Sequence, residues 1–129
     1  MTSLTTWLAV FLGGGLGASM RYAVSLRFVS GAGHFPWATL IVNVFGSLLI
    51  GVCYVLVFEK KLLPETLRPF LMVGFLGALT TFSTFSLEAW TLFNDGYVKL
   101  AIVNIIANIT LNLVAVGIAI ALTQKLINT

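Results

Sequence analysis

The chain has 129 residues, of which 59% are hydrophobic and 9% charged, and its mean hydropathy is +1.05. A soluble domain usually carries about 25% charged residues, so this composition excludes an ordinary water-soluble domain and makes lipid the natural solvent. The net charge of +3 comes from basic residues scattered about the ends of apolar stretches, without a run or patch, which argues for snorkelling and topology and against a nucleic-acid partner.

A span needs about 20 apolar residues, because about 1.5 Å of rise per residue must cross about 30 Å of hydrocarbon. The pattern predicts an all-α membrane protein with four such helices, residues 1–129 forming a single transmembrane domain. The first runs from about Leu4 to Leu26 and meets no charge before Arg21. It lacks the basic start of a signal peptide and is too long for one, so it reads as a retained helix. Its Gly13, Gly14, Gly15 and Gly17 include a GxxxG pair, a signal for close helix packing.

The second helix, from about Trp37 to Phe58, carries Thr39, Asn43 and Ser47 at i, i+4 and i+8, which stacks them on one face. The lone Cys53 reads as a small apolar residue. The third runs from about Pro69 to Phe93, interrupted by Glu88, and the fourth from about Val98 to Gln124, with Lys99 only at its entrance. Asn104, Asn108 and Asn112 repeat the i, i+4, i+8 spacing along the fourth. The connections are short, about Val29 to Pro36, Glu59 to Leu67 and Asn94 to Tyr97, the last containing the turn signal Asn94-Asp95-Gly96. His34 sits in a loop without ligand partners in the sequence.

Four helices put both termini on one side. That side holds Lys60, Lys61, Arg68 and Lys125, the other Arg21, Arg27 and Lys99, a bias of one charge. So weak a bias predicts insertion in both orientations and an antiparallel dimer.

Polar groups in hydrocarbon are either packing glue or a path. For a single asparagine the glue reading is the stronger; two ladders, rich in amide N–H and hydroxyl donors, favour a path for an anion. Arg21 either draws anions into a vestibule or anchors its helix by snorkelling. Glu88 lines a watery mouth, titrates with a transported proton, or pairs with a basic residue.

The stretch GFLGALTTFSTFS, residues 74–86, crowds hydroxyls around Phe82 and Phe85. Serine and threonine bonding back to carbonyls, with two glycines before them, predict a break in the third helix. A broken helix at mid-membrane exposes carbonyl oxygens that suit a cation such as Na+.

These residues carry a resemblance. Through GGGLGASMRY at 13–22, Val42-Asn43, and GFLGALTTFSTFS, the chain resembles the Fluc (CrcB) family of fluoride channels. The resemblance implies an antiparallel dual-topology homodimer with two fluoride pores and a central structural Na+, exporting fluoride passively across a bacterial inner membrane. It implies ring edges of Phe82 and Phe85 facing the ion, where an aromatic quadrupole is positive. It makes Asn43 pore-lining, with Ser83 and Thr84 as hydroxyls beside the phenylalanines; the ladder spacing of the second helix adds Thr39 to the same track. It assigns Gly77 and Thr80 backbone carbonyls to the Na+, Arg21 to a vestibule and Glu88 to the mouth. One departure stands out: Asn104, Asn108 and Asn112 lie where relatives can carry tyrosine and serine hydroxyls. Two rivals are a small proton-coupled multidrug transporter of dual topology, for which Glu88 is the sole carboxylate candidate, and a structural membrane subunit. None of these readings is an enzyme.

Overall fold

The computed structural model describes residues 3–29 and 31–128; Ser30, within the first predicted connection, lies outside the described residues. Their regular structure is all helical, with no β-strand among the described residues. Helix α1 spans Leu4–Ser25, begun by the Ser3 side chain, which accepts from Thr6 N–H. Helix α2 spans Trp37–Tyr54 and widens into a π-helical turn, Val55–Glu59, whose end is marked by Lys60 N–H donating to Val55 C=O at 2.8 Å. After a 3-10 turn at Glu65–Leu67, a second π-helical stretch, Pro69–Leu76, runs into a single α-turn, α3, Gly77–Leu79. Helix α4 spans Phe82–Asn94 and α5 spans Val98–Ile127.

The two residues between α3 and α4 are extended, Thr80 at φ −82°, ψ 155° and Thr81 at φ −152°, ψ 120°. The predicted break is therefore present. The turn after α4 is also as expected: Gly96 takes φ +88°, a conformation open to glycine, while Tyr97 N–H reaches back to Leu92 C=O at 2.8 Å. The π-helical stretches are not legible in the sequence, because no residue pattern marks an i→i+5 ladder.

Among the described residues, three helical segments are long and apolar enough to cross a membrane: Trp37–Glu59, Glu65–Asn94 and Val98–Ile127, which fits a multi-pass membrane protein. Helix α1, of 22 residues, has the length but not the apolarity, because its glycines and Arg21 dilute it.

Small residues decide the packing. Helix α1 lies along the Pro69–Leu76 stretch and α3 with backbone against backbone. A Cβ on Gly13 would stand 2.3 Å from the Phe70 carbonyl oxygen, and one on Gly17 would stand 2.1 Å from that of Phe75. Gly74 answers from the other side, where a Cβ would stand 2.7 Å from the Val10 carbonyl oxygen. A Cβ on Gly14 or Gly15 would meet nothing within 4 Å, so the predicted glycine cluster divides into a packed pair and an open pair. Val42, Leu76 and Leu79 form a small apolar core where α2 meets α3. Helix α2 runs parallel to α5 at a constant register, since Asn43–Asn108, Ser47–Asn112 and Glu59–Gln124 are each 65 residues apart.

Candidate ion pathway

Each side of the break completes its own helix end. Thr80 Oγ1 donates to Leu76 C=O at 2.9 Å, closing the upstream turn. Thr81 Oγ1 accepts from Thr84 N–H at 3.1 Å, which makes it the N-cap of α4. Ser86 Oγ donates back to Phe82 C=O at 2.8 Å. Much of the hydroxyl crowding read from the sequence thus serves the backbone. Ser83 is exposed with its Oγ 3.3 Å from Thr81 Oγ1, and Thr84 Oγ1 accepts from Thr81 Oγ1 at 3.0 Å.

The two polar ladders meet each other. Asn43 Nδ2 donates to Asn108 Oδ1 at 3.1 Å, and Ser47 Oγ donates to Asn112 Oδ1 at 3.0 Å. Along α5, Asn112 Nδ2 donates to Asn108 C=O at 2.6 Å and Asn108 Nδ2 to Asn104 Oδ1 at 2.8 Å. Each bond hands the donor role one turn towards the start of α5, and the chain ends at Asn104. That residue is 0% exposed, and its Nδ2 has no hydrogen-bond partner. Amide chains of this kind polarise their terminal donor. The spacing of this seam is legible in the sequence; the direction of its bonds depends on which ladder faces which, and that is a matter of tertiary packing.

The same register would set Thr39 level with Asn104, and there Thr39 Oγ1 donates to Glu88 Oε1 at 2.7 Å. Glu88 Oε2 is buried without a partner. This link between α2 and α4 was not legible, because it depends on the break re-aiming α4. A cavity of about 300 Å3 opens beside it between α1, α2 and α4, bordered by Arg21, Thr39, Thr84 and Glu88. Arg21 and Glu88 therefore share one cavity. The Arg21 guanidinium spends its Nε–H on Ala78 C=O at 3.0 Å, tying α1 to the end of α3.

Phe82 and Phe85 stand together with ring centroids 5.4 Å apart and planes at 65°, an edge-to-face pair. Their environments differ sharply: Phe82 is 77% exposed and Phe85 6%. A second cavity, of about 270 Å3, brings Phe82 to Asn43, Ser47 and Asn112 and includes Gly77 and Thr80. Gly46 also borders it, and a Cβ there would lie 2.2 Å from the Thr80 methyl, Cγ2. Gly46 was not singled out from the sequence, although it lies three residues past Asn43 and so on the same face.

Long apolar helices around a hydrogen-bonded polar seam, with one helix broken beside that seam, are the architecture of a membrane transport protein, polar inside and apolar outside. The chain belongs to the family described as CrcB-like protein, Camphor Resistance (CrcB), whose pattern matches residues 8–120. It is similar to the Fluoride-specific ion channel FluC of Saccharophagus degradans, 52% identical over 126 residues that cover 98% of this chain and 95% of the relative. The FluC of Hahella chejuensis is 48% identical over 119 residues, covering 92% and 94%. The Fluoride-specific ion channel FluC 2 of Nocardia farcinica is 53% identical over 91 residues, covering 70% and 65%.

Proposed function

We propose that this protein is a passive, fluoride-selective channel that exports fluoride across a bacterial inner membrane, working as an antiparallel homodimer with two pores and a central structural Na+. The observation that carries the reading is the placement of Phe82, edge-to-face with Phe85, in one cavity with Asn43, Ser47 and Asn112 of the amide and hydroxyl seam. Fluoride is small and strongly hydrated, so a pore must replace its water with close donors and still release it. Ring edges and neutral amides do this without a fixed positive charge that would trap the ion. The step from anion to fluoride is supported by the names of the relatives.

Four spans are the natural count. Helix α1 lies backbone to backbone on the Pro69–Leu76 stretch through Gly13, Gly17 and Gly74, so it shares the membrane depth of that stretch. Arg21, bonded to the Ala78 carbonyl and facing the cavity, is kept from lipid. A dimer would cover Phe82, which one copy leaves largely bare. In that dimer the Na+ would be held by carbonyl oxygens of Gly77 and Thr80. These residues fit a hard cation: Gly77 is exposed, only the Met72 carbonyl oxygen, at 3.6 Å, is near the Cβ it lacks, and Thr80 leaves the helix at the end of α3. The ion would supply fixed positive charge that holds two such carbonyl sets together. A proton-coupled multidrug exchanger is the weaker reading, since α1 carries no acidic residue and Glu88 would be its sole carboxylate candidate.

Fluoride efflux from liposomes of the purified protein, read with a fluoride electrode beside a chloride control and without a proton gradient, tests the proposal. Fluoride flux without chloride flux is expected, and well-folded protein that passes no fluoride would overturn it. Replacing Na+ by a large organic cation in the same assay is expected to lower flux or dissociate the dimer; indifference would remove the Na+ site.

A further inference from the structure

The family resemblance casts Asn43 as a donor to the permeating anion, but its amide is fully committed elsewhere. Oδ1 accepts the Thr81 N–H at 2.8 Å, and Nδ2 donates to the Thr81 C=O at 3.1 Å. The second Nδ2 hydrogen serves Asn108 Oδ1 at 3.1 Å. This orientation has no alternative, because a flipped amide would set NH2 against an N–H and oxygen against a carbonyl.

The pair of bonds to one residue's N–H and C=O is what a neighbouring strand gives an extended residue in an antiparallel ladder. Thr81 is such a residue, and having left the helical bonding pattern it needs partners for both groups. One turn along α2, Gly46 leaves room for the Thr80 methyl. Helix α2 therefore grips both residues of the break, Thr80 by shape and Thr81 by hydrogen bonds.

We propose that Asn43 is a positioning residue: its amide acts as a one-residue strand that pins Thr81 in the extended conformation and so fixes where α4 begins and where Phe82 and Phe85 stand. An anion that took an Asn43 N–H would have to release the break or the α5 seam. The proposal rests on the channel reading only for its consequence in flux; the backbone geometry can be tested without any ion.

The test is hydrogen exchange at the Thr81 amide of the full chain in detergent or nanodiscs, for wild type, Asn43→Ala and Asn43→Asp. Alanine removes the acceptor and is expected to speed Thr81 exchange about tenfold or more, with mid-α5 amides unchanged. Aspartate in its protonated form, which burial against two acceptors favours, still accepts from Thr81 N–H and donates its O–H to one of them, and is expected to keep exchange within about threefold of wild type. Protection retained in Asn43→Ala, or lost equally in both variants, would overturn the proposal. A measurement on wild type alone stands if a variant does not fold. In a fluoride titration followed by NMR, the Asn43 side-chain amide resonances are expected to stay fixed, and a saturable shift in them would make Asn43 an anion ligand and overturn the proposal. Absence of fluoride flux in wild type would defeat the channel reading and leave the exchange result intact.

Discussion

Gly46→Ala is expected to disrupt the break, and Thr80→Ser to repair it. The added Cβ would lie 2.2 Å from Thr80 Cγ2, whereas carbon atoms in contact sit about 3.5–4.0 Å apart, so roughly 1.5 Å must be found. Thr80 cannot simply rotate away, because its hydroxyl is bonded to the Leu76 carbonyl at 2.9 Å. Overpacking of this kind costs about 1–3 kcal/mol, and losing that hydrogen bond would add about 1 kcal/mol. Thr80→Ser deletes the offending methyl, keeps the hydroxyl, and by itself costs about 0.8 kcal/mol. The next nearest Thr80 atom, Cβ, is 3.7 Å away and would be an ordinary neighbour. The double variant should therefore be about as stable as Thr80→Ser alone, with a coupling equal to the whole cost of Gly46→Ala, about 1–4 kcal/mol, in its favour. Thermal unfolding in detergent and fluoride efflux, measured on all members of the cycle, read the coupling directly. Additive losses in both would refute the claim that α2 seats the break through this contact.

The glycines of α1 should separate cleanly. Gly13→Ala and Gly17→Ala drive a Cβ into backbone oxygen and should each cost about 1–3 kcal/mol, while Gly14→Ala and Gly15→Ala, with open space around them, should stay within about 0.5 kcal/mol; melting temperatures compare them. A loss at Gly14 as large as at Gly17 would mean that the open face is covered in the assembled protein. The phenylalanines should separate too. Phe85→Ile is expected to lower both fluoride flux and thermal stability, because its ring is buried; Phe82→Ile should lower flux alone within a single copy's stability, because its ring is exposed. Undiminished flux in both variants would remove the ring-edge argument.

Helix positions were largely legible because they follow from apolar length. The stretches about Leu4–Leu26 and Trp37–Phe58 correspond to Leu4–Ser25 and Trp37–Glu59, and the fourth runs three residues past Gln124 to Ile127. The break was legible from its glycines and hydroxyls, yet the use of those hydroxyls was not: Thr80 and Thr81 close helix ends, and Ser86 bonds back to a carbonyl within α4. The i, i+4 spacing announced two polar faces. It could not say that they face each other, since that follows from the parallel α2–α5 register. Asn43 shows the same limit most plainly, for its chemical capacity is fixed by its side chain and its partner by a helix break 38 residues away. The Thr39–Glu88 bond and the Arg21–Ala78 bond, between groups 49 and 57 residues apart, carry no local signal at all.

The break has one consequence that no side chain controls. A continuous helix has its positive pole at one membrane face and its negative pole at the other; interrupted at Thr80–Thr81, the third element becomes two dipoles laid head to tail. The carbonyl-rich negative pole of the Pro69–Leu79 half and the N–H-rich positive pole of α4 then meet within two residues, deep among the helices. Attraction for cations on one side of the gap and anions on the other is thereby written into the peptide units, without a single ionised group. Any substitution that preserves the extended conformation of those two threonines should preserve this polarity. Any that restores a continuous helix should erase it, even with every side chain of the seam in place.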